Sequence, residues 1–437
     1  MRHLSGCGTI VVLWVILVGL TPAQAKFYTL EESITEALVN NRNLKAIKTK
    51  IDQAGFVEKQ ARTEFLPKLS TSYGYTRFDR ARVFKSTLPG ASRIAISSQD
   101  NFEWRGTVTQ PLFAGFAILS SYELAKLGVD QSETEYELAR LDLALRIKQA
   151  YFDILIAEKA VEVAEKDVAS RESNLKMVRN FYEVGIVPVN DLLRAEVELA
   201  DSKQTLVEVK SRVRVAEFAF NTVLSRPGNA PVRVKDIERF VPERGAFESY
   251  LGQALRNRPE IKLLDIALLQ ADRDARLAKS KFYPEIGFEY NYIKAGDTPD
   301  VSGSPFHETN RWEATTYLSW TFFEWGKTRY EVKEKESVKD ELIQTKLSLE
   351  QGIALEIKDA LLALQVAEKN VPATEKAQEQ AEENLRVSNE RYKAQVTTII
   401  EVMDAQRLLS QARVNFYRAI YTHHLAKAGL MRALGTF

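Results

Sequence analysis

The chain has 437 residues, with 60 Lys and Arg against 59 Asp and Glu, one Cys and four His. A charged fraction of 27% is too high for a membrane protein built from many apolar helices. Balanced charge argues against a nucleic-acid partner, which usually requires a basic excess. With so few His and Cys, we expect no bound metal and no cofactor.

Residues 1–25 have the pattern of a secretory signal peptide. Arg2 supplies the positive start, residues 10–20 are apolar, and residues 23–25 fit a small-residue cleavage site. We therefore expect the mature protein to be exported. No later stretch reaches about 18 consecutive apolar residues, so no transmembrane helix is expected after the leader.

The rest of the chain divides into two similar halves. Residues 34–75 align without a gap on 251–292, and a later block repeats with a shift of 210 residues. The pattern predicts a first structural repeat over 26–226 and a second over 247–437. Prolines between them predict a non-helical linker at 227–246.

Each repeat shows the same order of elements. Helical spacing runs from about 30 to 66 and stops before Pro67. The first repeat then continues with strands near 69–78 and 101–113, a long helix at 115–183 and a turn at 185–190. The second continues with strands near 286–294 and 311–323, a long helix at 326–394 and a turn at 395–400. A plain dimeric coiled coil is the alternative for the long helices, and Pro372 predicts a kink or break in the second one.

Alternation in the four strands favours a membrane barrel. In residues 102–112 apolar side chains, Leu112 included, alternate with polar ones. Lipid outside and water inside a barrel demand this pattern, and the polar loops at 79–101 and 294–311 are typical of extracellular loops. A soluble sheet whose aromatic face packs on a helix is the alternative. The aromatic residues expected to face lipid are Phe102, Trp104, Phe288, Tyr290, Trp312 and Trp320.

Four strands are too few to close a barrel. An open edge in lipid leaves backbone groups without partners, so strands in a membrane predict an oligomer. Two copies give eight strands and a filled interior, whereas three give twelve and room for a lumen.

Several short motifs together resemble the TolC-like outer membrane efflux protein family, the outer membrane factors. They are residues 30–32, the helix end at 61–67, Arg391-Tyr392 and residues 401–406. The resemblance implies a mainly α fold with a transmembrane β-barrel. It is a trimeric α/β-barrel tube in which each protomer, a duplicated helix–strand–strand–long helix–helix unit, gives four strands of a twelve-stranded barrel.

The resemblance also implies a function and partners. The homotrimer would sit in the outer membrane of a Gram-negative bacterium, in contact with its lipid, and extend into the periplasm. It would be the passive exit duct of a tripartite efflux or type I secretion system, joined to a periplasmic adaptor and an inner-membrane pump of RND or ABC type. Its cargo, whether small compounds, metal ions or secreted proteins, stays open.

The resemblance nominates a gate at the periplasmic end. Glu401 and Asp404 match acids that line the constriction, and three copies would form two carboxylate rings that favour cations. The alternative is a pair of acids favoured by the helix dipole. Tyr392 with Asp191, and Thr397 opposite Asn190, match polar links that hold the gate closed. Thr397 replaces the family's arginine and Gln395 its turn glycine.

The chain shows no grouping of a nucleophile, a base and an orienting residue, so we expect no enzyme activity. The rival from another class is a trimeric coiled-coil surface or structural protein without transport. Such a protein should carry one strand cluster at its C-terminus. Here the strands form two separated pairs, which favours the channel.

Overall fold

The computed structural model describes residues 26–84, 94–237, 241–242, 245–306 and 308–437. The predicted signal peptide, part of each predicted extracellular loop and part of the predicted linker lie outside the described residues. The elements are β1 (Lys26–Tyr28), α1 (Leu30–Asn40), α2 (Arg42–Thr63), β2 (Lys68–Arg77), β3 (Val83–Phe84), β4 (Ile94–Ala95), β5 (Asp100–Ala114), α3 (Ala117–Glu183), α4 (Val189–Val223), β6 (Val232–Val234), α5 (Phe247–Asn257), α6 (Pro259–Ser280), β7 (Glu285–Gly296), β8 (Asn310–Ser319), α7 (Lys327–Lys393) and α8 (Ile399–Ala433).

These elements form two compact units. Unit 1 lies within Met1–Val39, Arg146–Phe240 and Val371–Thr422, and unit 2 within Asn40–Leu145, Val241–Asn370 and His423–Phe437. None of the helices in the described ranges is apolar over a stretch long enough to cross a membrane.

Unit 2 contains a four-stranded antiparallel sheet in the order β2-β5-β7-β8. It joins the strand pair of the first half to that of the second half. Trp104 lies opposite Tyr73, and Tyr292 lies opposite Trp312, so most aromatic residues of the four strands share one face. Tyr317, which lies opposite Gly287, is on the other face. The opposite face carries polar residues such as Glu103, which shows that the predicted alternation of faces continues across the whole sheet.

The register of β5 shifts between Pro111 and Phe113. Because of this bulge, Phe113 rather than Leu112 lies opposite Ile286 and continues the aromatic face. Leu112 therefore has no partner in β7, which the regular alternation of the sequence did not predict. The physical reason is Pro111, which has no N–H to donate to the strand ladder.

Strand β8 ends at Ser319, four residues before the predicted end at 323. Its partner β7 begins at Glu285, which pairs with Ser319, and the preceding Pro284 has no N–H to extend the ladder. Trp320 thus lies beyond the strand instead of within it. Its indole N–H donates to the carbonyl oxygen of Phe282 at 3.1 Å.

Two further expectations about helices are corrected. The first helical segment is divided at Asn41, whose side chain accepts a hydrogen bond from the N–H of Leu44 at 3.0 Å and so caps α2. Pro372 does not break α7, which runs through it, so the predicted break is wrong and the predicted kink stays a prediction. Ala367 and Val371 beside it are buried, so packing outweighs the lost backbone hydrogen bond.

The strands of unit 2 join the long helices through two left-handed residues. Gly115 and Phe116 have φ of 57° and 70°, and Trp325 and Gly326 have φ of 55° and 84°. A Cβ at Gly115 would lie 2.3 Å from the carbonyl oxygen of Ser280. The first junction therefore requires glycine at position 115 for both backbone conformation and space.

Unit 1 is held at its centre by Tyr151. Its hydroxyl lies 2.5 Å from the carbonyl oxygen of Lys235 and 3.1 Å from that of Tyr28. Strands β1 and β6 pair in parallel beside it, so the predicted linker contains a short strand. The N-terminal segment and the linker are thereby fixed to α3.

Unit 2 contains a partly buried charged cluster around Arg258, whose own side chain is buried. Its guanidinium contacts Glu260 at 2.8 Å and Glu356 at 2.5 Å, and Arg432 contacts Glu260 at 2.9 Å and Asp142 at 2.6 Å. Burial alone would raise the pKa of Glu260, but the hydrogen bonds from Arg258 and Arg432 outweigh it and lower the pKa to about 2.

Gly115→Ala should destabilise the protein. The left-handed backbone alone costs an L-residue about 1–2 kcal/mol, and the new Cβ would clash with the backbone of Ser280. Gly55→Ala is the control, because a Cβ there meets nothing within 4 Å and Gly55 lies inside α2. Denaturant unfolding in detergent should show a loss for the first variant and a small gain for the second. Equal behaviour would contradict the assignment.

Glu260→Gln should weaken the protein at neutral pH but not at acid pH. The folded-state pKa of Glu260 is depressed, so its stabilisation is complete above pH 4.5 and disappears as the pH falls towards 2. The expected loss near pH 7 is about 3 kcal/mol. Glu137→Gln, which removes an exposed ion pair with Arg140, should change the free energy of unfolding by less than about 1 kcal/mol. A loss for Glu260→Gln that is independent of pH would refute the electrostatic origin.

Candidate gate at the hairpin turns

Two tight turns join the long helices into hairpins, α3 to α4 and α7 to α8. The N–H of Ile186 donates to the carbonyl oxygen of Phe181 at 2.8 Å, and the N–H of Val396 donates to that of Arg391 at 2.9 Å. Gly185 and Gln395 occupy the left-handed position of each turn, with φ of 78° and 62°. Both helices therefore end in the same Schellman motif, with glycine in one and a strained glutamine in the other.

An apolar cluster in unit 1 packs beside the turns. Its buried members come from all four helices or their joining turns: Val178, Ala195, Tyr392, Ile399 and Val402. Because Ile399, Val402 and Ala405 are buried on α8, the exposed residues between them face away from the cluster. Packing thus determines which side of α8 is exposed, and this side is called the free side.

Glu401 and Asp404 lie on that free side, one helical turn apart, as expected from their spacing. The sequence interpretation missed two arginines beside them. Arg391 lies 3.9 Å from the Glu401 carboxylate, and Arg407 lies 3.5 Å from that of Asp404. All four side chains are more than half exposed, so these ion pairs are weak. The i,i+3 spacing of Asp404 and Arg407 is the signal that sequence reasoning overlooked.

The four residues expected to latch the gate are not linked to one another within one chain. Tyr392 is buried, and its hydroxyl has no hydrogen-bond partner among the described residues. Burial, and secondly the charge of Asp191, raise the pKa of Tyr392. Asp191 does not accept a hydrogen bond from the Tyr392 hydroxyl within the described chain. The hydroxyl of Thr397 is also buried without a partner, and Asn190 is exposed.

Five of the six predicted lipid-facing aromatics lie on the aromatic face of the sheet. The ring centroids of Tyr290 and Trp312 are 6.2 Å apart, and those of Tyr75 and Phe102 are 4.6 Å apart. Trp320, beyond the strand end, is the sixth. The five on the face are Phe102, Trp104, Phe288, Tyr290 and Trp312.

The other face of the sheet is polar. The hydroxyl of Thr107 donates to the side-chain oxygen of Asn291 at 2.6 Å, and the amide of Asn291 donates to Glu289 at 2.6 Å. Glu103 pairs with Arg105 at 2.8 Å. Charged and hydrogen-bonded side chains on this face suit contact with water. Within the described part of the chain, no three His, Cys, Asp or Glu are placed to hold a metal ion.

Comparison with known proteins points to one family. The family model described as "Outer membrane efflux protein" matches residues 33–225 and 250–436. Nodulation protein T of Rhizobium leguminosarum bv. trifolii is 22% identical over 72% of this chain and 67% of its own length. Outer membrane protein TolC of Vibrio cholerae serotype O1 is 23% identical over 93% of this chain and 90% of its own.

Solved structures share the fold. The outer membrane protein VceC of Vibrio cholerae superposes with a TM-score of 0.78 at 17% identity, covering 93% of this chain and 96% of that one. The likeness confirms the predicted mainly helical chain with a barrel portion.

Substitutions at the two turn residues, Gln395 and Gly185, test the backbone strain at Gln395. Gln395→Gly should stabilise unit 1, and Gly185→Ala should destabilise it, each by about 1 kcal/mol, because only the left-handed backbone is at issue. A Cβ at Gly185 would meet no atom within 4 Å, so no clash complicates the result. Denaturant unfolding of the single variants and of the double variant measures both effects. Changes of the same sign in the two single variants would refute the argument.

Proposed function

We propose, because the chain belongs to the outer membrane efflux protein family, that three copies of it form a gated duct. The protein lies in the outer membrane of a Gram-negative bacterium and is an exit channel for efflux. The proposal adds the number of copies, the gate and the partners. One observation carries it: a four-stranded sheet with one aromatic face and one charged face.

The unpaired outer edges of the sheet favour an assembly of three copies of the chain. Neither β2 nor β8 pairs along its outer edge within the described residues. Edges exposed to lipid cost several kcal/mol for each backbone group without a partner. Joining β8 of one copy to β2 of the next removes every edge. Two copies would make a small barrel filled with side chains, whereas three make one wide enough for a lumen.

The two faces then acquire distinct roles. The aromatic face turns towards lipid, and the face of Glu103, Arg105 and Asn291 lines the water-filled lumen. This orientation keeps charged groups in water, where they need no buried partner. The reverse orientation would place these charges in hydrocarbon at high cost.

Glu401 and Asp404 supply the gate. Three copies place two carboxylates each around a narrow opening, which attracts cations and repels anions. The helix dipole of α8 accounts for an acid in its first turn, at Glu401, but not for Asp404 beyond it. Arg391 and Arg407 partly offset the negative charge, so the cation preference should be moderate.

The proposed partners are a periplasmic adaptor and an inner-membrane pump of RND or ABC type. In this proposal the energy for transport comes from the pump, and this protein provides the path. Efflux of small compounds and type I secretion of proteins both require such a path across the outer membrane.

Single-channel conductance in planar bilayers tests the gate. Glu401→Gln combined with Asp404→Asn should reduce the cation-to-anion permeability ratio severalfold and weaken block by trivalent cations, because both carboxylate rings are lost. Glu379→Gln combined with Glu383→Gln is the matched control, since both residues are exposed acids on α7 away from the turn. Native mass spectrometry of the inserted species should give three copies.

The outcomes separate the parts of the proposal. Currents whose selectivity is unaffected by the gate variant would keep the duct and remove the gate from these residues. An assembled protein that carries no current would favour the structural coiled-coil alternative. A copy number other than three would contradict the barrel argument.

A further inference from the structure

We propose that a buried polar cluster centred on Asp167 is the latch that positions the gate helices within each protomer. The cluster consists of Asp167, Ser170 and Arg171 on α3, Glu198 on α4, and Gln406 and Ser410 on α8. The inference rests on the proposed gate, because its effect is on the placement of Glu401 and Asp404.

Asp167 uses both carboxylate oxygens. One accepts from the amide of Gln406 at 2.9 Å and from the hydroxyl of Ser410 at 2.6 Å. The other accepts from the Arg171 guanidinium at 2.8 Å. Asp167 and Arg171 are each little more than one tenth exposed. Hydrogen bonds to an ionised group in such a shielded place are stronger than neutral ones at a surface.

The cluster ties three helices together. The hydroxyl of Ser170 donates to the side-chain oxygen of Gln406 at 2.7 Å, so Gln406 bonds α3 through both ends of its amide. Arg171 also pairs with Glu198 on α4. The cluster thereby joins the α3–α4 hairpin to the N-terminal part of α8, which follows the turn of the α7–α8 hairpin.

The position of the cluster links it to the gate. Gln406 lies two residues beyond Asp404 on the same helix, and Ser410 lies one further turn along. A helix is rigid over this distance, so the cluster fixes the place of both gate acids. Nearer the turn, the hydroxyls of Tyr392 and Thr397 have no partners among the described residues. Within one chain, a polar connection between the hairpins therefore lies at Asp167, and the links expected at Tyr392 and Thr397 stay predictions.

Packing alone does not replace these bonds. A cavity of about 870 Å³ lies against the cluster, lined by Asp167, Arg171 and Ser410 together with further residues of α3, α4 and α8. Side chains that border a cavity lack the close contacts of a filled core. Movement of α8 away from α3 on this side therefore breaks the hydrogen bonds of Asp167 in addition to the apolar packing of α8.

Conductance of three variants tests the latch. Asp167→Ala should raise occupancy of the high-conductance state by roughly tenfold, because three bonds to one buried carboxylate are lost. Asp167→Asn, which keeps an acceptor oxygen, and Ser410→Ala, which removes one bond, should give intermediate increases. This graded order is the signature of a positioning role.

Two controls distinguish positioning from general weakening. Glu172→Ala removes an exposed pair with Lys203, which joins α3 to α4 but not to α8, and should leave conductance unchanged. Arg432→Ala breaks the charged cluster of unit 2 and should lower thermal stability without opening the channel. Melting temperatures of all variants are measured in detergent beside the currents.

Each outcome decides a separate claim. Wild-type protein without current would refute the proposed duct. Normal wild-type current, altered selectivity in the Glu401 and Asp404 variant, and unchanged conductance in all three cluster variants would keep the gate and refute the latch. An increase in Arg432→Ala equal to that in Asp167→Ala would also refute it, because any loss of stability would then open the channel.

Discussion

An unclosed sheet in a membrane is the constraint on which the rest of the structure depends. In the described part of the chain, β2 and β8 have no partners on their outer edges, and the proposed assembly would supply them. The helices also carry exposed apolar surface. Helix α4 exposes a series of large apolar side chains, a feature typical of surfaces that other chains cover. They are Leu193, Val197, Val207, Val215 and Phe218.

The change from strand to helix is made in the same way in both halves. Each junction uses two consecutive left-handed residues, one glycine and one aromatic, but the order is reversed: Gly115 precedes Phe116, whereas Trp325 precedes Gly326. In each junction the aromatic residue adopts the left-handed conformation, which is strained for a residue with a Cβ. Because the order is reversed, a residue-by-residue comparison of the halves does not reveal the shared geometry.

The sequence predicted the sheet faces well because lipid and water sort side chains with a period of two. It failed where proline changes the backbone: Leu112 leaves its expected place at the bulge beside Pro111, and Trp320 lies outside β8 because Pro284 ends the partner strand. The opposite error occurred at Pro372, where burial on either side keeps α7 continuous. Local signals therefore predict faces and periods, while tertiary packing decides where elements end.

The candidate gate residues show the same difference between what local spacing predicts and what tertiary packing decides. Spacing along one helix was enough to place Glu401 and Asp404 on a common exposed side. The Asp167 cluster had no such signal, because Asp167 and Gln406 are separated by 239 positions and belong to different halves. Nothing in either local pattern distinguishes these residues from ordinary polar residues on an amphipathic helix.

The placement of polar bonds in unit 1 has a consequence for motion. The turn region contains a strained residue, Gln395, and buried hydroxyls without partners in the described ranges, at Tyr392 and Thr397. Backbone strain and buried hydroxyls without partners lower the cost of local opening at the turns, whereas the apolar cluster beside them opposes it. The hydrogen bonds of Asp167 add a polar restraint on α8 farther from the turns. Under the proposed latch, larger displacement of α8 requires the loss of the Asp167 bonds, so the proposed gate acids would move little until that cluster breaks.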